Sequence, residues 1–245
     1  MIIVNADDFG RSKKETDISL ECYRLRRITS ITAMVFMADS ERAAEVALTE
    51  RIPTGLHLNF IELFSGHGHD TDSVLIEHHR KIVEFLKSSP YSQILYNPSL
   101  GQAFEYVFRA QVDEFFRLYN QPPTHFDGHK HMHLCTNMLV SCPIPLGQKV
   151  RRSLSFEPGE KGFVNRGYRN FVNLRLARRY RITDYFFALS QQLPDQKFTR
   201  VCNLASEATV ELMTHPAVAA EEAFLKGPEY EKKLQGVSKG TYVEL

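Results

Sequence analysis

Short apolar or β-branched runs alternate with amphipathic stretches about seven times along the chain, which limits the fold to a largely parallel sheet whose strands are joined by helices. Residues 2–6 open as a strand, and Ile18, Cys22 and Leu25 recur at helical spacing within residues 15–27. Residues 31–37 are apolar on both faces, as a strand covered by helices on each side must be. Ala43, Ala44, Ala47 and Leu48 then form one stripe across residues 40–49. Further strands are expected at residues 54–59, 124–128, 149–153, 184–188 and 210–214, with helices at 75–87, 102–119 and 221–235. Phe104, Val107, Phe108, Val112, Phe115, Phe116 and Tyr119 give the second of these helices a continuous apolar face, and Pro122-Pro123 stops it. Residues 60–71, rich in Gly and His and without period, read as a long loop over a site. Such alternation builds either an open doubly wound sheet or a closed (β/α) barrel, and the pattern alone does not separate them.

A chain of 245 residues, 43% of them hydrophobic, suits one domain spanning residues 1–245. Thirty basic residues balance 29 acidic ones, so no global field favours nucleic acid or an anionic membrane, and a small, nearly neutral substrate fits better. Cys22, Cys135, Cys142 and Cys202 stand apart and read as reduced thiols. The opening run shows no leader pattern and no stretch of about 18 apolar residues occurs, so a cytoplasmic protein is expected.

Three acid or histidine motifs fall at the carboxyl ends of expected strands, where parallel α/β folds place ligands and catalytic groups. They are Asn5-Ala6-Asp7-Asp8-Phe9-Gly10, Gly55-Leu56-His57-Leu58-Asn59 and the run from His125 to His133. Neighbouring strand residues point to opposite faces, but where a strand breaks into a turn both aspartates can reach one site, and Phe9-Gly10 supplies the turn. Alone, Asp8 reads better as a helix cap and Asp7 as a solvated turn residue. His57 alone reads as a satisfied core histidine. Four histidines and an aspartate within the nine residues 125–133 are hard to explain as packing, and imidazole is a common ligand for borderline metals.

Not all of that cluster can bind one ion. Strand residues two apart lie about 6.6 Å from each other and four apart about 13 Å, whereas ligand atoms sit at about 2.0–2.2 Å from a metal. At most one or two of His129, His131 and His133 are direct ligands, with Asp127 placed to accept a hydrogen bond from a ligating imidazole. His125 and His133 are as well explained by solvated or capping roles. His215 ends a strand run and Pro216 halts it, the placement shared by the other motifs. His67, His69, His78 and His79 lack such framing and read as solvated. Neither a phosphate-binding Gly-rich loop nor a G-x-S-x-G elbow is present, which removes support for nucleotide binding and a serine hydrolase.

Taken together, the N-A-D-D-F-G opening, the strand ending G-L-H-L-N, the T-H-F-D-G-H-K-H-M-H run and the E-L-M-T-H-P segment resemble the YdjC/ChbG-like carbohydrate deacetylases across nearly the whole chain. The resemblance implies a (β/α) barrel of the polysaccharide-deacetylase type, distorted or incomplete. It implies a divalent metal, Mg2+ or Zn2+, held by Asp8, His57 and His129, with Asp7 as general base and His215 as general acid. Ala217 stands where the family's final motif usually carries glycine after His-Pro. A basic residue facing the site is expected near residues 149–153, with Arg151 and Arg152 both open; these two, Asp127 and His131 are candidate supporting or substrate-binding residues. The substrate implied is an N-acetylated sugar or short oligosaccharide, with a homodimer as one assembly to test. A metal phosphoesterase, a glycosidic-bond hydrolase, a non-haem iron oxygenase and a catalytically silent sugar-binding protein are the rival readings.

Overall fold

The computed structural model of the protein describes residues 1–66, 72–156, 159–160, 162–193 and 195–245. Strand β1 (Ile2–Phe9) leads through helix α1 (Lys13–Arg24) to β2 (Ser30–Ala33), then α2 (Ser40–Thr49), β3 (Thr54–Leu58), α3 (Ser73–Lys87) and α4 (Gly101–Tyr119). Strand β4 (Phe126–Gly128) is followed by a 3-10 turn at His129–Leu134, α5 (Thr136–Ser141) and α6 (Phe163–Ala177). The chain ends through β5 (Tyr185–Ala188), α7 (Leu189–Gln192), α8 (Asp195–Glu207), β6 (Val210–Thr214), α9 (Ala219–Lys226), α10 (Pro228–Lys233) and the short β7 (Lys239–Gly240).

The strands lie in the order β4-β3-β2-β1-β6-β5, all parallel, with β7 added beside the start of β1. The sheet curls into an incomplete barrel. Between its two edges runs an extended segment around Val150, joined to Phe126 of β4 on one side and to Arg181, ahead of β5, on the other, by isolated bridges only. The strand expected at residues 149–153 is therefore a thin seam instead of a full ladder.

Period-2 alternation divides the side chains. Ile2, Val4, Ala6, Ile31, Leu56, Leu58, Phe126, Phe187, Val210 and Leu212 point outward and join the core under the helices. The intervening residues Asn5, Asp7, Thr32, His57, Asp127 and Glu211 are buried on the other face, so the inside of the barrel is largely polar, with a small apolar cluster of Phe186, Ala188 and Met213 beside β5 and β6. The apolar reading of residues 31–37 on both faces fails for this reason. Only Ser30–Ala33 is strand, with Ser30 and Thr32 facing inward, while Met34 to Met37 leave the sheet through Phe36 at φ 62°.

The helices follow their patterns with local adjustments. Ala43, Ala44 and Ala47 are the buried stripe of α2, while Leu48 is exposed. Helix α4 buries Phe104, Val107, Phe108, Phe115 and Tyr119, but Phe116 is 54% exposed and lies off that face. It stops at Asn120, left-handed at φ 51°, before the paired prolines. The single helix expected over residues 221–235 is two, because Gly227 is extended and Pro228 starts the second. All four cysteines are free thiols, and among the described residues no helix is long and apolar enough to cross a membrane.

Candidate metal centre

Strand alternation would send Asp8 outward, toward the helices. Instead Asp8 adopts φ 65°, and the register of β1 against β2 shifts between Ala6 and Phe9, so that Asp7 and Asp8 both turn toward the carboxyl end of the barrel. This bulge gives two adjacent carboxylates one site. Gly10, at φ 85°, makes the turn that follows, in a place where a Cβ would meet the Met34 carbonyl at 3.0 Å. Asp8 does not cap α1, whose N-cap is Ser12, and Asp7 is buried, which excludes both bland readings of the pair.

His57 on β3 and His129, just past β4, close on Asp8. Asp8 Oδ1 lies 2.8 Å from His129 Nδ1 and 3.3 Å from His57 Nε2. Such spacings suit ligand edges in a small coordination shell with bonds of about 2.1 Å. His57 Nδ1 sits 2.8 Å from Asp127 Oδ1, which fixes the ring so that Nε2 faces Asp8. The Nε2 atoms of His57 and His129 are both buried with no hydrogen-bond partner. His57 Nε2, unpartnered, and His129 Nδ1 converge on the same Asp8 oxygen, and two imidazole nitrogens beside a carboxylate are the donor set of a divalent cation, so these residues fit one. Glu62, from the loop after β3, adds a carboxylate 3.2 Å from His129 Nε2 and is held there by Arg11 at 2.9 Å.

The charges explain the titration. Burial opposes ionisation of Asp8, yet His129, hydrogen-bonded to it, and the His57 ring beside it hold its carboxyl far below the usual range. Asp7 is likewise penalised by burial and likewise held down, here by Arg151 and then His57. For His57, burial opposes the charged ring but Asp127 and Asp7 outweigh it, raising the imidazole to about 10.

Arg151 is the basic residue expected near the seam. It is fully buried, with two nitrogens on the two Asp7 oxygens at 2.6 and 2.7 Å, and a third contact of 2.6 Å to Asp127. Arg152 turns away, donating to the carbonyl oxygens of Thr183 and Asp184, and has no place at the centre. Asn5 Nδ2 and Thr32 Oγ1 complete the shell of Asp7 at 3.0 and 3.3 Å.

His215 follows β6 and lines a cavity of about 140 Å³ with Asp7, Asp8, Arg11, Glu15 and Pro216. Its backbone is fixed by Glu221 Oε2, which accepts from the His215 amide at 2.6 Å. The other histidines divide. His131, left-handed at φ 61°, lies edge-on to Phe186, and burial lowers it to about 3, so the ring is neutral. His133 is buried and its Nε2 contacts the Arg151 carbonyl at 3.1 Å, a structural brace in place of the solvated role. His125 is buried with its ring stacked on Tyr242 at 3.7 Å. His79, expected to be solvated, is buried with its Nε2 3.2 Å from the Asn59 carbonyl oxygen and its ring stacked on Phe64. His78 is partly buried near Tyr106; His67 and His69 lie outside the described residues.

Sequence reasoning missed Glu62, Glu211 and Tyr242. Glu62 and Tyr242 lie in segments without period. Glu211 carried a signal, an acid at a strand position flanked by apolar residues.

Known proteins bear on this arrangement. A carbohydrate deacetylase of Danio rerio is 29% identical over 134 residues, 54% of this chain and 42% of that protein. A chitooligosaccharide deacetylase of Yersinia enterocolitica serotype O:8 / biotype 1B is 26% identical over 228 residues, 89% of this chain and 81% of the relative. One from Serratia marcescens is 33% identical over 139 residues, 55% of this chain and 51% of the relative. The aligned part is less than half the length of the Danio rerio and Mus musculus relatives, 42% and 43%. A crystal structure from Enterococcus faecalis V583, of a protein described as acting in cellobiose-phosphate cleavage, superposes with a TM-score of 0.66 at 17% identity, covering 99% of this chain and 97% of that one, and shows the same fold. A family model for YdjC-like proteins matches residues 1–242, and the chain belongs to that family.

Proposed function

We propose that this chain is a metal-dependent hydrolase that removes the acetyl group from an N-acetylated sugar or short oligosaccharide. The observation that carries the reading is the meeting of Asp8, His57 and His129, with His57 Nε2 unpartnered, beside an arginine-held Asp7. Relatives named carbohydrate and chitooligosaccharide deacetylases support the substrate class.

A divalent cation held by Asp8, His57 and His129 would acidify water and polarise the acetamide carbonyl. Arg151 keeps Asp7 ionised, and therefore able to accept the proton of the attacking water, at some cost in driving force. As water oxygen bonds to the carbonyl carbon and the C–N bond breaks, His215 protonates the departing amine, so that acetate and a free amino sugar leave. Both groups line one cavity, as a base and an acid on opposite sides of one amide must. Next to His131 opens a groove of about 900 Å³ lined by Tyr91, Phe163 and Tyr168, whose rings offer apolar faces of the kind sugars stack on. The balance between Mg2+ and Zn2+ turns on two imidazoles, which favour zinc, against the carboxylates of Asp8 and the nearby Glu62, which suit magnesium.

The test is acetate release by protein reconstituted with Mg2+ or Zn2+, across N-acetylglucosamine, its phosphate and short chitooligosaccharides. Release that needs the metal is expected. Cleavage of a phosphate or glycosidic bond without acetate would replace this reading with a rival.

A further inference from the structure

Next to Asp7, inside the barrel, Arg151 sits in a cluster that the proposed reaction does not use directly. Its five N–H groups have five carboxylate contacts: two on Asp7, one on Asp127, and two on Glu211, from Nε at 2.8 Å and from a terminal nitrogen at 2.7 Å. Phe186 covers the guanidinium face at 4.9 Å. Both Arg151 contacts on Glu211 use one oxygen, Oε1. The other, Oε2, accepts the hydroxyl of Tyr242. Tyr242 comes from the last residues of the chain. It is fully buried, stacks on His125 at an interplanar angle of 8°, and has its carbonyl held by Lys149 Nζ from the seam.

We propose that Glu211 and Tyr242 are positioning residues, which act through Arg151 to fix the orientation of the Asp7 carboxylate toward the attacking water. The claim rests on Asp7 being the base proposed above. Apolar side chains of equal volume would stabilise the barrel floor at least as well as this ionic cluster. What the cluster adds is direction: with Glu211 holding the Nε edge, the planar fork cannot swing away from Asp7. Tyr242 in turn reserves Oε2, so that Glu211 keeps Oε1 on the arginine.

Tyr242→Phe removes the hydroxyl and keeps the ring stack. Its kcat for acetate release should fall roughly ten- to a hundredfold, the scale of a hydrogen bond to a charged group, with KM and bound metal within about twofold of the native protein. Glu211→Gln should fall further in the same direction. Tyr180→Phe, which loses a buried hydroxyl bond to the Ile144 carbonyl elsewhere, should keep the native kcat. In parallel, the Arg151 Nε–H resonance in 15N spectra should be slow to exchange in the native protein and shift in Tyr242→Phe. An unchanged kcat in Tyr242→Phe, or an unmoved Nε–H signal, overturns the proposal. If the native protein releases no acetate from any sugar, the proposed function fails, and the Nε–H signal still decides whether Tyr242 orients Arg151.

Discussion

At the scale of single residues the centre is an excess of negative charge held by few cations. Asp7, Asp8, Asp127, Glu62 and Glu211 face Arg151, Arg11 and His57. Asp7→Asn preserves the volume and the metal donors, so it should retain bound metal and lose turnover by about 10²–10⁴ in kcat, measured beside metal analysis of the same sample; near-native turnover would remove Asp7 as base. Arg151→Lys is not conservative, because one ammonium cannot meet three carboxylates in fixed directions. It should cost roughly 3–5 kcal/mol in denaturant unfolding, the scale for stranding buried charge. His57 supplies the pH dependence. Its folded value of about 10 stands above the ordinary 6.5, so the metal-free protein gains stability from the charged ring that is complete below 6.5 and lost as pH rises through 10. A metal needs that ring neutral. Binding should therefore release about one proton near neutral pH and tighten about tenfold per pH unit up to 10, which calorimetry in buffers of differing ionisation enthalpy reads out. Zero proton release would mean that His57 is not a ligand.

At the scale of elements, what was legible in the sequence was what periodicity and strand ends encode. The β-α alternation and the strand-end motifs come from residues whose chemistry interrupts an apolar pattern, whereas the choice of Asp8, His57 and His129 as the metal triad came from the family resemblance. The bulge at Asp8 was not legible as such, since φ 65° in a non-glycine residue is imposed by tertiary contacts. Neither was the seam, because residues 149–153 are strand-like in composition but find partners only through bridges. Glu62 and Tyr242 were hidden for the same reason, their meaning lying in contacts 67 and 31 residues away, to His129 and to Glu211. One glycine of the G-L-H-L-N strand has a sharper role than a pattern reveals. A Cβ on Gly55 would stand 2.5 Å from the His125 ring and 2.9 Å from its carbonyl oxygen. Gly55→Ala should therefore push β3 from β4, where His57 pairs with Asp127, and destabilise by about 1–3 kcal/mol. Loss of metal affinity should accompany it; native stability and affinity would show that the strands have slack.

At the scale of the whole molecule, the centre gathers residues that the chain holds far apart. Asp8 ends the central strand, His57 ends β3, His129 follows the edge strand β4, and Arg151 belongs to the seam that reaches toward the opposite edge. A cation at Asp8, His57 and His129 would thus tie β1, β3 and β4 together at the carboxyl end of the sheet, up to the edge strand that borders the seam. Binding to the folded state alone stabilises by about 2.7 kcal/mol at a hundredfold excess over Kd, which for a chain of this size corresponds to a Tm rise of roughly 5–10 °C. Metal-stripped protein should gain that rise on adding Mg2+ or Zn2+ and lose it to chelator, whereas Asp8→Ala should not respond. The amides of Val150 and Arg181, which hold the seam, should gain protection from hydrogen exchange in the same titration, because a cation that fixes His129 just past β4 steadies the edge strand the seam rests on. A Tm unmoved by saturating metal in the native protein would mean that these donors, however well spaced, do not form a binding site.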